Sequence, residues 1–131
     1  MSQENVDFVR TSYEFANRTH TPDLDAFVAD CEWHTRADLP DAGIRRGHDG
    51  LVKLASEWFG AFDHFRLDIE ELLDAGDSVV VVTRLRGQVR SSRGEVDLAE
   101  TQVCKMRDGK VAVVRAYRTK AEALKAVGLE E

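Results

Sequence analysis

The stretch VVVVTRLRG, residues 79–87, sets two arginines on alternate positions beside four valines. A guanidinium is a rigid fork of donors suited to a carboxylate or to an oxyanion. In an extended chain, residues two apart share a face. Val80, Val82, Arg84 and Arg86 therefore form one side, and Val79, Val81, Thr83 and Leu85 the other. Alternation alone does not choose the inward side, because both are half apolar. In EVDLAETQVCKMR, residues 95–107, Val96, Leu98, Glu100, Gln102, Cys104 and Met106 share a face. Glu100 interrupts an otherwise apolar row. A lone carboxylate there costs several kcal/mol unless it finds a partner, a water or a proton. Two readings follow: Arg84 and Arg86 snorkel at a wet rim, or Glu100 pairs with one arginine and leaves the other for a ligand oxygen.

Other residues could join such a site. His34, beside Trp33, carries an imidazole of ordinary pKa near ~6.5, suited to removing an acidic proton, or is an ordinary rim histidine. His48, in RGHDG, caps the following helix or points toward a pocket mouth. Trp58 lies at helical spacing with Leu51, Leu54 and Phe62, which makes it core packing, a pocket wall, or both. Gln102 offers an amide donor. The candidate catalytic pair is His34 and Glu100; the candidate binding set is Trp33, His48, Trp58, Arg84, Arg86 and Gln102.

The elements that must position these groups can be read along the chain. Val6, Val9, Tyr13 and Ala16 recur at helical spacing, with Phe8 and Phe15 widening the stripe. Thr21, Pro22, Asp23 and Asp25 begin a short second helix reaching about Val28. CEWHTR is a brief strand, ADLPDAGIRRGHDG a loop, and LVKLASEWFGAF a helix. Strands follow in HFRLDIEELL, SVVVVTRLRGQVR, EVDLAETQVCKMR and KVAVVRAYR, with Asp108-Gly109 as the tightest hairpin signal. TKAEALKAVGL closes as a helix. Helices segregated from an antiparallel meander predict an α+β domain.

Composition bounds the function. The 131 residues suit one domain, 1–131, with one core. A net charge of -6, from 18 Lys and Arg against 24 Asp and Glu, argues against nucleic acid as a partner. No apolar run is long enough for a membrane span, and the acidic N-terminal stretch does not read as a signal peptide. Cys31 and Cys104 are expected as reduced, buried thiols of a cytoplasmic protein. The four histidines show no metal-ligand spacing, and no phosphate loop or GxSxG elbow is present, so no metal or cofactor is expected.

RGHDGLVKLASEWFGAFDHFRLDIEELLDAGDSVVVV followed by RDGKVAVVRAYRTKAEALKAVGL resembles the SnoaL-like branch of the nuclear transport factor 2-like superfamily, from about Val6 to Leu129. The resemblance implies a cone: a curved antiparallel sheet wrapped around the N-terminal helices, with an open pocket. It also implies a homodimer through the outer sheet face, here carrying Ala99, Thr101 and Val103. By the family's registry, Val80, Val82, Arg84 and Arg86 face the cone, with Leu98, Glu100, Gln102 and Cys104 on the next strand. Ketosteroid isomerase's aspartate base falls on His34. Its oxyanion-hole acid falls on Gln102 and its tyrosine on or beside Ser12, which leaves Tyr13 rotated off the pocket. Limonene epoxide hydrolase's arginine matches Arg84, while its acids fall on Arg86 and about Ala116. Fold does not carry function. The missing acids favour a small-molecule-binding protein; the alternative is a cofactor-independent isomerase, cyclase or dehydratase acting on a polyketide- or steroid-like carbonyl compound.

Overall fold

The computed structural model describes residues 2–40 and 42–129. Helix α1, Ser2–Thr19, buries Val6, Val9, Ser12 and Tyr13 as one stripe. The expected second helix is a single 3-10 turn, Leu24–Ala26, and strand β1 already begins at Phe27 and runs to His34. Phe27 and Val28 suit a pleated surface better than a helix, and Phe27 pairs with Val111. Strand β2, Ile44–Arg46, lies inside the segment expected as a loop. Three residues are too few to show a period. β2 forms on the edge of β1, where Arg46 meets Glu32 at 2.5 Å. Helix α2, Gly47–Ala61, starts directly after it. Gly47 has φ +68°, a left-handed conformation glycine adopts without a steric cost.

Strands β3, Phe62–Ala75, β4, Ser78–Val89, β5, Glu95–Arg107, and β6, Lys110–Tyr117, complete the sheet. Its order is β2-β1-β6-β5-β4-β3. β3 to β6 form the expected antiparallel meander, β1 pairs with β2 antiparallel, and β1 joins β6 in parallel. The β5–β6 turn is at Asp108-Gly109, both with positive φ, as the residues predicted. The curved, unclosed sheet holds α1 and α2 against its concave face. Helix α3, Lys120–Ala126, starts at a capping box between Thr119 and Glu122 and packs on the other face.

The register of β4 on β5 settles the valine strand. Val79 opposes Cys104, Val81 opposes Gln102 and Thr83 opposes Glu100. Directly paired residues share a face. Val79 and Val81 therefore join Val9, Tyr13, Trp33, Cys104 and Val114 in the concave core. Val80 lies on the convex face with Val103, Ala123 and Leu73. The expected assignment of Val80, Val82, Arg84 and Arg86 to the cone is thus reversed. In this register Glu100 and Gln102 share the concave face with Val81 and Thr83, which sends Val80, Val82, Arg84 and Arg86 to the other side. The four-valine run arises because both faces of β4 are covered, the concave one by α1 and the convex one by α3. Thr101 and Val103, expected to drive a dimer, are already buried within the chain, while Ala99 is exposed.

α1 is pinned to the edge strand β3 by one side chain. Asn17 donates through Nδ2 to the Leu67 carbonyl at 2.8 Å and accepts from the Leu67 N–H at 2.9 Å. It thereby occupies backbone groups that an edge strand would otherwise leave open. Asn17→Ala should destabilise the protein by about 2 kcal/mol, the sum of two net hydrogen bonds, read as a lower urea midpoint at unchanged slope.

Candidate functional site

α1, α2 and the sheet line a half-open cavity of about 80 Å³. Its walls are mostly aromatic and aliphatic, from Trp33 on β1, Trp58 and Phe59 on α2, and Phe65 and Leu67 on β3. The rings brace one another edge to face. Trp33 and Trp58 lie 6.3 Å apart at 89°, and Phe59 and Phe65 5.1 Å apart at 89°. The polar wall comes from Ser12, Tyr13 and Asn17 on α1, and from Asp23 in the connection to β1. Trp33 is only 8% exposed, and its indole N–H has no hydrogen-bond partner. A buried donor left in this state is costly.

Behind Tyr13 runs a buried polar chain. The Tyr13 hydroxyl donates to Gln102 Oε1, and Gln102 Nε2 donates to Glu100 Oε2 at 2.7 Å. Gln102 is fully buried and Glu100 is 5% exposed. Burial raises the Glu100 pKa, opposed by the Gln102 hydrogen bond and by the Arg36 guanidinium. Burial also holds the Tyr13 phenol well above its ordinary range, with Cys104 and Glu100 adding to it. Cys104 lies 3.6 Å from the Tyr13 hydroxyl, and burial pushes its thiol up to about 12. It is therefore a packing residue at neutral pH and not a nucleophile. Cys31 and Cys104 are both free and buried, as expected.

The sequence-derived site residues do not converge. Trp33 and Trp58 line the cavity. Glu100 and Gln102 lie on the concave face, behind Tyr13. Arg84 and Arg86 lie on the convex face: Arg84 Nε meets Asp97 at 2.6 Å, and Arg86 Nη1 meets Asp68 at 3.2 Å. Their partners are exposed or half-buried aspartates on flanking strands, and the expected pairing with Glu100 is not formed. His34 shares the face of its β6 partner Arg115, opposite that of Trp33. His34 Nε2 donates to Glu32 at 2.9 Å and Nδ1 accepts from Arg115 at 3.3 Å. Both ring nitrogens are occupied outside the cavity, so the expected role as a base within the cone has no geometric support. His48 Nε2 donates to the Phe27 carbonyl at 3.1 Å and ties the start of α2 to β1.

Three polar cavity residues escaped the sequence reading, Asn17, Asp23 and Tyr13. Asp23 was read only as an acid at a helix start. Tyr13 was set aside because Ser12 matched the isomerase tyrosine, yet Tyr13 reaches Gln102. Its helical phase with Val6 and Val9 was the signal that placed it inward. Among the described residues no group of His, Cys, Asp and Glu is arranged to hold a metal ion, and no helix is long and apolar enough to cross a membrane.

A cone of this topology, with an aromatic cavity between helices and sheet, defines a class of small α+β proteins. The chain belongs to the SnoaL-like domain family, which it matches over residues 9–114. It is similar to a protein from a soil-derived mobile gene cassette, at 20% identity over 88% of each chain with a TM-score of 0.77. TerC, co-crystallised with polyporic acid, is 21% identical over 95% of this chain and 98% of its own, with a TM-score of 0.74. A SnoaL-like polyketide cyclase from Jannaschia, so described provisionally, is 18% identical over 99% and 94%, with a TM-score of 0.74. At these identities the likeness is one of fold. No curated protein matches the sequence.

The raised Glu100 pKa fixes the sign of a pH effect. A carboxyl that binds its proton more tightly when folded stabilises the fold at low pH and loses that contribution as pH rises through its folded pKa. Glu100→Gln should therefore gain stability relative to wild type as pH rises above the ordinary glutamate range. Urea unfolding at acid and neutral pH measures it; a pH-independent difference would show that Glu100 does not titrate as described.

Proposed function

We propose that the protein binds a small, largely apolar molecule carrying one hydrogen-bond acceptor, in the cavity between α1, α2 and the sheet. The observation that carries this reading is the unpartnered indole N–H of Trp33, buried in a residue of the aromatic wall. A ligand oxygen would satisfy that donor once a shift of the Trp33 ring opens it to the cavity, while the rings bury the ligand's apolar surface. Size narrows the class. Pockets for drug-sized ligands run to about 300–1,000 Å³, so a steroid or a full polyketide exceeds a cavity of about 80 Å³. The two tryptophans of the chain are Trp33 and Trp58, so intrinsic fluorescence reports occupancy directly. Tetrahydrofuran and cyclopentane, rings of equal size with and without an acceptor, test the reading. Trp33→Phe should weaken tetrahydrofuran about five- to tenfold, the worth of one net hydrogen bond, and leave cyclopentane unchanged. Equal effects on both probes, or no binding of either, would sink it.

A second reading is cofactor-independent proton transfer on a small carbonyl compound, favoured by the presence of Asp23 among the residues that line the same cavity. Asp23 would take a proton α to the carbonyl, and the enolate oxygen would accept from the Trp33 N–H. Deuterium exchange into cyclopentanone, followed by proton NMR, checks this. Protein-catalysed exchange that falls about a hundredfold in Asp23→Asn supports turnover; exchange no faster than buffer leaves binding alone.

A further inference from the structure

We propose that the imidazole of His20, stacked on Phe59, is a clasp across the open side of the cavity and sets how fast small molecules enter and leave it. The use of the clasp rests on the binding reading above. Its position follows from exposure along the cavity wall. Tyr13, Phe27, Trp33, Leu54 and Phe65 are among the buried lining residues and belong to the floor. Apart from Leu67 on β3, the half-buried lining residues gather in two short segments. Ala16, Asn17, Pro22 and Asp23 lie at the end of α1 and just beyond it, and Ala55, Trp58 and Phe59 lie on α2. The open side therefore runs between segments 16–23 and 55–59. His20 sits within the first and Phe59 within the second. Their ring centroids are 4.8 Å apart, with the planes 17° from parallel. The stack joins one lip of the opening to the other.

The backbone at the end of α1 presents this ring. α1 ends at Thr19, and the His20 N–H donates back to the Ala16 carbonyl at 2.8 Å. His20 then takes φ +62°, the left-handed conformation that closes many helices. Glycine is the usual residue there and asparagine the next, and neither has a ring. Histidine also adopts this conformation, and here it adds a flat aromatic surface. Little else fastens this lip. Among the described residues, no hydrogen bond or ion pair ties segment 20–23 to α2 or to the sheet. Thr21 bonds back to Thr19, with their hydroxyls 2.9 Å apart, and the Asp23 carbonyl accepts from the Ala26 N–H at 3.0 Å. A segment held by local bonds opens at low cost. The His20 ring is exposed, so it leaves Phe59 without breaking a buried contact of its own. One ring pair biases such an opening about two- to tenfold toward the closed form. That holds the lips together and still lets them part.

Acrylamide quenching of tryptophan fluorescence tests the clasp without a ligand, so its failure and the failure of the binding reading are separate results. Both tryptophans of the chain line the cavity. His20→Asn removes the ring and keeps a residue that tolerates φ +62°. It should raise the Stern–Volmer constant about two- to tenfold, the worth of one ring pair. In a Phe59→Leu background the stack is already gone, and His20→Asn should add nothing. Thr119→Ala removes the cap of α3, on the other face of the sheet, and should leave quenching as in wild type. Equal quenching in wild type and His20→Asn overturns the proposal. So does a rise of the same size in Thr119→Ala, which would show general loosening, or the same rise with and without Phe59. If Phe59→Leu does not fold, wild type, His20→Asn and Thr119→Ala still decide.

Discussion

The pairing of β4 with β5, which sets Val81 opposite Gln102 and Thr83 opposite Glu100, controls what the concave face contains. Side chains in a strand alternate with a period of two, so a slip of one residue would send the whole set to the other side. In the register that forms, Val79 and Val81 reach α1, and Val80 reaches α3. Glu100 and Gln102 are carried under Tyr13, and Arg84 and Arg86 are carried out to Asp97 and Asp68. Each later feature of the molecule, from the polar chain to the convex ion pairs, inherits its position from that one alignment.

The two kinds of polar interaction differ in consequence. The convex arginine–aspartate pairs are partly or wholly exposed, and water screens them. They keep the sheet surface polar and leave the cavity uncharged by arginine. The concave chain is shielded from water, so each group depends on its neighbour for a partner. Replacing one member strands another.

The cavity gains its character from convergence. α1 contributes a phenol and an amide that also clasps Leu67, α2 contributes Trp58 and Phe59, and β1 contributes Trp33. No adjacent pair of these elements makes the site alone. The tilted rings keep a small space open because their edges meet faces instead of lying flat on one another. The unsatisfied Trp33 N–H is the mark left at that meeting point.

Local pattern determined much on its own. The spacing of Val6, Val9 and Tyr13 defined α1 and its buried stripe, and alternation in residues 95–107 isolated Glu100 on an apolar row. The Asp108-Gly109 turn, the α+β class and two buried thiols followed from the residues in the same way. These features depend on neighbours close in the chain, where periodicity is the physical signal. The tertiary structure alone decided the rest. The orientation of Val79–Arg86 depends on partners in β5 and on cover from α3, and both alternations of that strand look half apolar in isolation. The three-residue β2 exists because β1 offers it an edge. His34 left the cone because its neighbour Trp33 took the inward position, and adjacent strand residues cannot share a face. Asp23 and Tyr13 entered the cavity because chain segments far apart in sequence close around them, a relation that no local spacing encodes.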